Sequence, residues 1–244
     1  MKLSINILTW NCLETLKESL PLIMDEIKLF KAECIIVDNG SDDGTKEYME
    51  GQQSIYKNLI YNRNEVNLGI SKGKNIGINL SNGSYIVLLD ADIVPVKNSI
   101  RMFVEYLNKN PECMALGFRP DEWSNQKNNK FGQMFHETEL HTLHNVEPIN
   151  RACIYYGIYR ASLFEDGLRF NEEGEFGKPG YGWEDHDFYE RMKSRGVIQY
   201  VADVNKPNGK YYHAINSSIR VMGNGEYMRT SRERGKEFKR IWKE

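Results

Sequence analysis

The chain has 244 residues, 40% hydrophobic, 11% aromatic and 27% charged, with a formal net charge of -2. That is the composition of an ordinary globular protein, which excludes a disordered chain, and its charge offers nothing global to a nucleic acid or a membrane. No stretch reaches the roughly 18 apolar residues of a membrane span, and the N-terminal "MKLSINILTWN" is too short, and lacks the cleavage site, for a secretory signal. A cytoplasmic protein is expected.

Strand-length apolar runs occur at Leu3 to Leu8, Cys34 to Val37, Leu59 to Tyr61, Tyr85 to Leu89 and Met114 to Phe118. After the first, Leu13, Leu16, Leu20, Ile23, Ile27 and Phe30 recur at steps of three and four, which predicts a helix over 13–30 with one apolar face. Asp43 to Met49 and Ile70 to Leu80 predict shorter helices. Strands alternating with helices predict an α/β fold with a mainly parallel sheet, in which ligands bind beyond the carboxyl ends of the strands. Those ends are polar: Thr9-Trp10-Asn11, Asp38-Asn39-Gly40-Ser41, Asn67-Leu68-Gly69 after the third strand, and Asp90-Ala91-Asp92.

From Arg119 to Asn150 the pattern dissolves into a polar stretch, expected as an insertion or loop. Its histidines, His136, His141 and His144, lack HExxH order and give no metal signature. A strand over Tyr155 to Tyr159 follows, then a Gly-rich segment and a helix opening at Trp183 or Glu184. That helix has an acidic first turn, Arg191, Lys193 and Arg195 at its end, and Gly196 as its stop. From Ile219 onward eight Lys or Arg stand against four Glu, a mildly basic tail. It is expected as a solvated helix with intrahelical charge pairs, or as a peripheral contact with an anionic membrane. The simplest organisation is a single domain over 1–244, with a strand-and-helix half (1–118), a second half (119–218) and a helical tail (219–244). Cys12, Cys34, Cys113 and Cys153 lack CxxC spacing and read as buried thiols.

Asp90 and Asp92 end a core strand. Two residues apart on an extended chain, both carboxylates face one way, and their repulsion calls for a hard divalent cation, usually shared with substrate phosphates. The alternatives are a helix cap by Asp90 near Asn98, or a solvated turn. Gly69, Gly73 and Gly77 recur every four residues and fit neither Walker A nor GxGxxG.

In this order, "ILTWNCLETL", "IIVDNGSDDGT", "NLGISKGKNIGI" and "GSYIVLLDADIVP" resemble the N-terminal half of family 2 glycosyltransferases with the GT-A fold, across about residues 3 to 100. "GYGWEDHDFYERMKSRG" resembles the acceptor-side motif of inverting galactosyl- and N-acetylhexosaminyltransferases, and "YYHAINSS" their downstream histidine. The resemblance implies that Thr9, Asn11 and Asp38 surround the nucleotide base, that Asn67 and Lys74 contact the nucleotide sugar, and that Asp90 reaches the ribose or a metal-bound water. It implies Asp92 as a ligand of Mn2+ or Mg2+, and His213 reads either as the third ligand or as a packed core residue. Lys74 replaces the family's arginine, and a lysine cannot fork onto a phosphate. Asn39 replaces the second aspartate of its V-D-D.

Transfer at an anomeric carbon requires a base for the acceptor hydroxyl. Asp185 is assigned that role, with Glu184 binding hydroxyls and Trp183 offering a platform to a sugar ring. The function expected is metal-dependent, inverting transfer of a hexose or N-acetylhexosamine from a UDP-sugar to a glycan or other acceptor. The rivals are a nucleotidyltransferase, which lacks its basic triphosphate loop here, and a catalytically silent sugar-nucleotide- or carbohydrate-binding module. A nucleic-acid acceptor has only the basic tail in its favour.

Overall fold

A computed structural model of the protein describes residues 2–95, 97–118, 143–148, 156–203, 212–213 and 224–243. Strand β1 (Lys2–Thr9) alternates: Leu3, Ile5 and Ile7 enter an apolar core, while Ser4 and Asn6 are buried on the other face. It pairs in parallel with β2 (Lys31–Asp38) and with β4 (Tyr85–Asp90), and β2 pairs in parallel with β3 (Leu59–Arg63). The sheet continues through β8 (Tyr156–Arg160), antiparallel to β4, then β6 (Ala115–Phe118), β9 (Gln199–Asp203) and β7 (His144–Pro148). Its order is β3-β2-β1-β4-β8-β6-β9-β7, so strands from both sides of the 119–142 stretch share one sheet. A separate ribbon pairs β5 (Ile93–Val94) with β10 (Tyr212–His213).

Strand β4 explains its unbroken apolar run. Tyr85, Val87 and Leu89 enter one core and Ile86 and Leu88 the other, so neither face meets water. The first core is closed by α1 (Leu13–Ile27) through Leu16, Leu20, Ile23 and Ile27, and by α4 (Ser99–Lys109) through Ile100, Phe103 and Leu107. The second gathers Ile78 of α3 (Ile70–Leu80), Phe164 of the short α5 (Ser162–Glu165), and Phe188 and Met192 of α6 (Glu184–Lys193). Phe170 stacks on Phe188 with ring centroids 4.1 Å apart. Helix α2 (Thr45–Ile55) follows β2, and a 3-10 turn, Gly174–Gly177, precedes α6. Helix α7 (Asn224–Trp242) ends the described chain.

The glycines that recur every four residues are a packing device. A Cβ on Gly73 would stand 2.4 Å from Leu8 Cδ1, and one on Gly77 2.8 Å from Asn6 Oδ1, so the bare glycine face of α3 rests directly on those two side chains of β1.

Two helix limits differ from the expected ones. Helix α1 stops at Ile27, and Phe30, whose N–H closes a turn onto the Ile27 carbonyl at 3.0 Å, reaches the core from the approach to β2. Helix α2 starts at Thr45, where Asp43 Oδ1 accepts the Thr45 N–H and hydroxyl at 3.2 and 2.6 Å, and runs on past Met49 to Ile55. Its added turns bury no apolar residue, so they left no period to read. Of the 119–150 stretch, 143–148 are described and form edge strand β7, while His136 and His141 lie outside the described residues.

Helix α4 has an N-terminal cap supplied by a distant residue. Glu26, 8% exposed, accepts the Asn98 N–H at 2.9 Å and the Ile100 N–H at 3.3 Å. Burial pushes its carboxyl up to about 7, against the two amides and Lys97. Between about pH 4.5 and 7 the native state therefore binds the extra proton, and stability falls as pH rises through that window. Relative to Glu26→Gln, the wild type is expected to lose on the order of 3 kcal/mol from about pH 4 to about pH 8, read by urea denaturation across that range.

Candidate active site

The order of the parallel strands reverses at β1, which has β2 on one side and β4 on the other, and the crevice beyond those strand ends is where an open α/β sheet binds ligands. Asp38 ends β2 fully buried. Its Oδ1 accepts the Ser41 N–H at 2.9 Å and hydroxyl at 2.6 Å, and its Oδ2 accepts the Tyr61 hydroxyl at 2.7 Å. Its carboxylate thus shapes the 38–45 loop and is closed to solvent. Asn11, at φ 50°, ties β1 to that loop: its N–H donates to Ser41 Oγ and its Oδ1 accepts the Asp42 N–H, both at 2.9 Å. Thr9 is buried, its carbonyl accepting the Asn39 N–H at 2.9 Å while its hydroxyl has no partner among the described residues.

Asn39 shows why this sequence departs from V-D-D. Its amide nitrogen donates to Asn67 Oδ1 at 3.3 Å and to the Gly69 carbonyl at 3.0 Å, and its Oδ1 accepts from Asn64 at 2.8 Å. An aspartate cannot supply those donors. Asn67 Oδ1 also accepts the Gly69 N–H at 2.8 Å, fixing the entry to α3.

Lys74 projects from α3 with 5% of its side chain exposed and donates to Asp90 Oδ1 at 2.6 Å. The positive charge that the carboxylate pair calls for thus comes in part from this lysine. Asp90 is half-exposed and Asp92 is buried. Both lie near Cys12, whose thiol is pushed up to about 12 by burial first and then by Asp92, with Asp43 and Asp90 adding to it. The ribbon sets His213 opposite Ile93, one residue from Asp92, although the side chain of His213 lies outside those described. Two carboxylates at the end of a buried strand supply hard oxygen donors, which fit a divalent cation.

The acidic helix α6 carries the remaining candidate residues. Trp183 precedes α6 at φ 69°, a strained value for a residue with a Cβ, and its indole packs on Phe238 of α7 and on His186, with centroids 5.2 and 5.1 Å away. Glu184 Oε2 receives Nη1 of Arg234 at 2.9 Å. Burial and the Asp185 charge push the Glu184 carboxyl above its usual range, while Arg234 and Lys74 oppose the rise. Lys74 is therefore within electrostatic reach of both acidic groups, Asp90 at the end of β4 and Glu184 at the start of α6. The Asp185 side chain is 30% exposed, and its Oδ1 takes the backbone N–H and the ring Nδ1 of His186, each at 2.9 Å.

Helix α7 contributes residues that sequence reasoning missed. Arg234 is 1% exposed, and Tyr227 stands close enough to Glu184 and Asp185 for their charges to raise its phenol, after burial. The tail is therefore a docked helix with only its outer face solvated. The available signal was the stripe Tyr227, Thr230, Arg234, Phe238, in which an arginine occupies a core position of the helical period.

An α/β sheet with this order and carboxylates at its strand ends defines a GT-A-like transferase scaffold. The family model described as "Glycosyl transferase family 2" matches residues 4–168, and the chain belongs to that family and is a glycosyltransferase. An uncharacterized glycosyltransferase of Haemophilus influenzae is 24% identical over 236 residues, which cover 89% of this chain and 70% of the relative. S. aureus TarS 1-349, solved in complex with UDP-GlcNAc, superposes with a TM-score of 0.62 at 16% identity, over 88% of this chain and 58% of that one. The mannosyltransferase PcManGT from Pyrobaculum calidifontis, in complex with GDP-Man and Mn2+, gives 0.56 at 16% identity, over 84% and 57%. At such identities the two structures speak for the fold alone, and this chain spans under three fifths of either. Among the described residues no helix is long and apolar enough to cross a membrane.

The Asn39 network has a direct test. Asn39→Asp sets a carboxylate against Asn67 Oδ1 and the Gly69 carbonyl, and is expected to cost about 2 kcal/mol in urea denaturation, with Asn39→Ser costing less.

Proposed function

We propose that this glycosyltransferase moves a hexose or N-acetylhexosamine from a UDP-sugar to a hydroxyl of a glycan or glycoconjugate, with inversion and with a divalent metal. The observation that carries the proposal is the buried Lys74, which donates to Asp90 Oδ1 at 2.6 Å and stands near enough to Glu184 to oppose the rise of its carboxyl, so that acids from the end of β4 and from the start of α6 gather about one lysine. The UDP-GlcNAc bound by TarS supports the donor class, and the Mn2+ bound by PcManGT supports the metal.

Asp92, Asp90 and His213 would hold Mn2+ or Mg2+, which when bound offsets charge on the departing diphosphate. Thr9, Asn11 and Asn67 line the nucleotide end, where Asp38 keeps the loop in shape. Asp185, the more exposed acid of its pair, accepts the proton as the acceptor oxygen attacks the anomeric carbon. The new C–O bond forms on the face opposite the breaking bond to diphosphate, whose electron pair leaves with the phosphate oxygen. Glu184 and Trp183 line the acceptor side.

Titration calorimetry with UDP, GDP and CDP tests the donor half. UDP is expected to bind with Mn2+ and not with EDTA, and Asp92→Asn to weaken it at least tenfold. Preferential GDP binding would move the donor to a GDP-sugar, and no binding of any of the three would overturn the proposal. Asp185→Asn is expected to lower transfer by about 100-fold or more while UDP binding stays unchanged. A silent binding module would be indifferent to that change.

A peripheral contact with an anionic membrane is supported by the outer face of α7. Arg232, Lys236 and Lys239 recur there at helical spacing, with Lys243 just past the helix end, all exposed and, among the described residues, outside the ion pairs. Near an anionic surface each contributes about 1 kcal/mol. Sedimentation with vesicles of phosphatidylglycerol is expected to carry the protein down at low salt and release it at high salt, with no effect of phosphatidylcholine alone.

A further inference from the structure

Arg234 is the largest fully buried side chain among the described residues, and it is a permanent cation. All three of its guanidinium nitrogens are used: Nη1 donates to Glu184 Oε2 at 2.9 Å, Nη2 to the Lys178 carbonyl at 2.8 Å and Nε to the Glu175 carbonyl at 3.2 Å. One planar group therefore joins the carboxylate that opens α6 to two carbonyls of the segment before it. The fixed fork of the guanidinium makes that geometry specific in a way a lysine cannot reproduce.

The surrounding chain is fitted to the same helix. A Cβ on Gly180 would stand 2.9 Å from Thr230 Cβ, one on Gly182 2.8 Å from Ser231 Oγ, and one on Gly235 2.9 Å from the Trp183 indole nitrogen. One turn beyond Glu184, the buried Asp187 accepts from Trp242 at 3.0 Å and from Arg191 at 2.6 Å. Helix α7 thus grips α6 at two carboxylates, and only one of them, Glu184, stands beside the exposed Asp185.

We propose that Arg234 is a positioning residue for sugar transfer, holding the Glu184 carboxylate in the orientation that addresses acceptor and donor hydroxyls and setting the first turn of α6 so that Asp185 faces the acceptor. This rests on the glycosyltransferase reading of the acidic helix. Arg234 touches neither substrate nor metal. Its effect passes through Glu184, which fixes the signature: the two residues act as one unit in turnover, and the nucleotide half is untouched.

The test compares wild type, Arg234→Met, Arg234→Lys, Glu184→Gln and the double variant Glu184→Gln/Arg234→Met. The readouts are kcat and acceptor KM with the best UDP-sugar, UDP affinity with Mn2+, and Tm. Arg234→Met is expected to lower kcat at least tenfold with UDP affinity within twofold, and Arg234→Lys to recover only part of the loss. In the double variant kcat should fall no further than in Glu184→Gln alone. Trp242→Phe removes the bond to Asp187 and is the structural control, expected to lower Tm with kcat within about threefold.

If Arg234→Met is too unstable to assay, Arg234→Lys decides the matter through the ratio of its loss in the wild-type background to its loss in the Glu184→Gln background. Losses that multiply in the double variant, an Arg234→Lys enzyme with wild-type kcat, or a Trp242→Phe enzyme as slow as Arg234→Met would overturn the proposal. Absence of transfer by the wild type from any nucleotide sugar would overturn the underlying reading instead, so the two failures are told apart by the wild-type arm.

Discussion

A guanidinium closed off from water is an expensive object unless every N–H it carries finds an oxygen. Around Arg234 the chain meets much of that demand with one oxygen for each nitrogen, two backbone carbonyls and the Glu184 carboxylate, and the geometry around the start of α6 follows from it. Residues 174–183 run close against α7, and the glycines at 174, 180 and 182 and the left-handed Trp183 are what that close path requires. A segment that composition alone marks as loop is thereby tied to a helix, next to the enclosed Glu184 and the partly exposed Asp185 of the candidate site.

The donor side is organised by the same principle with the signs changed. Asp38, Asp43 and Glu26 are carboxylates at helix starts or strand ends, and each is surrounded by N–H and O–H donors. For Asp43, burial raises the carboxyl, but the Thr45 hydroxyl and the amides of Leu13 and Thr45 outweigh it and hold the group below its usual range. For Glu26, burial wins over its two amides. The difference is one of degree of enclosure against number and quality of donors. Lys74 and Asp90 complete the pattern at the centre, where a buried ammonium and a half-exposed carboxylate neutralise one another.

How much of this could be read from the chain depends on the distance over which each feature is decided. Strands β1, β2, β4 and helix α3 were legible because an apolar period is a local property, and the polar strand ends were legible because carboxylates that interrupt an apolar run are conspicuous. The antiparallel insertion of β8 beside β4 was not, since pairing direction depends on a partner some 70 residues away. The same holds for the contacts that define the site. Glu26 meets Asn98 across 72 positions and Arg234 meets Glu184 across 50, and nothing in the neighbourhood of either residue names its partner. Asn39 was visible as a departure from a motif, but its reason became visible only when Asn64, Asn67 and Gly69 converged on it.

The glycine stripe of α3 carries a consequence for how the protein comes to be folded. Each glycine inside a helix costs about 1 kcal/mol relative to alanine, so Gly73 and Gly77 leave this eleven-residue segment a poor helix by itself. It becomes helical only when β1 is already in place to receive it, because the contact that compensates is the close approach the glycines permit. The element that presents Lys74 to the crevice is then one whose order is borrowed from the sheet.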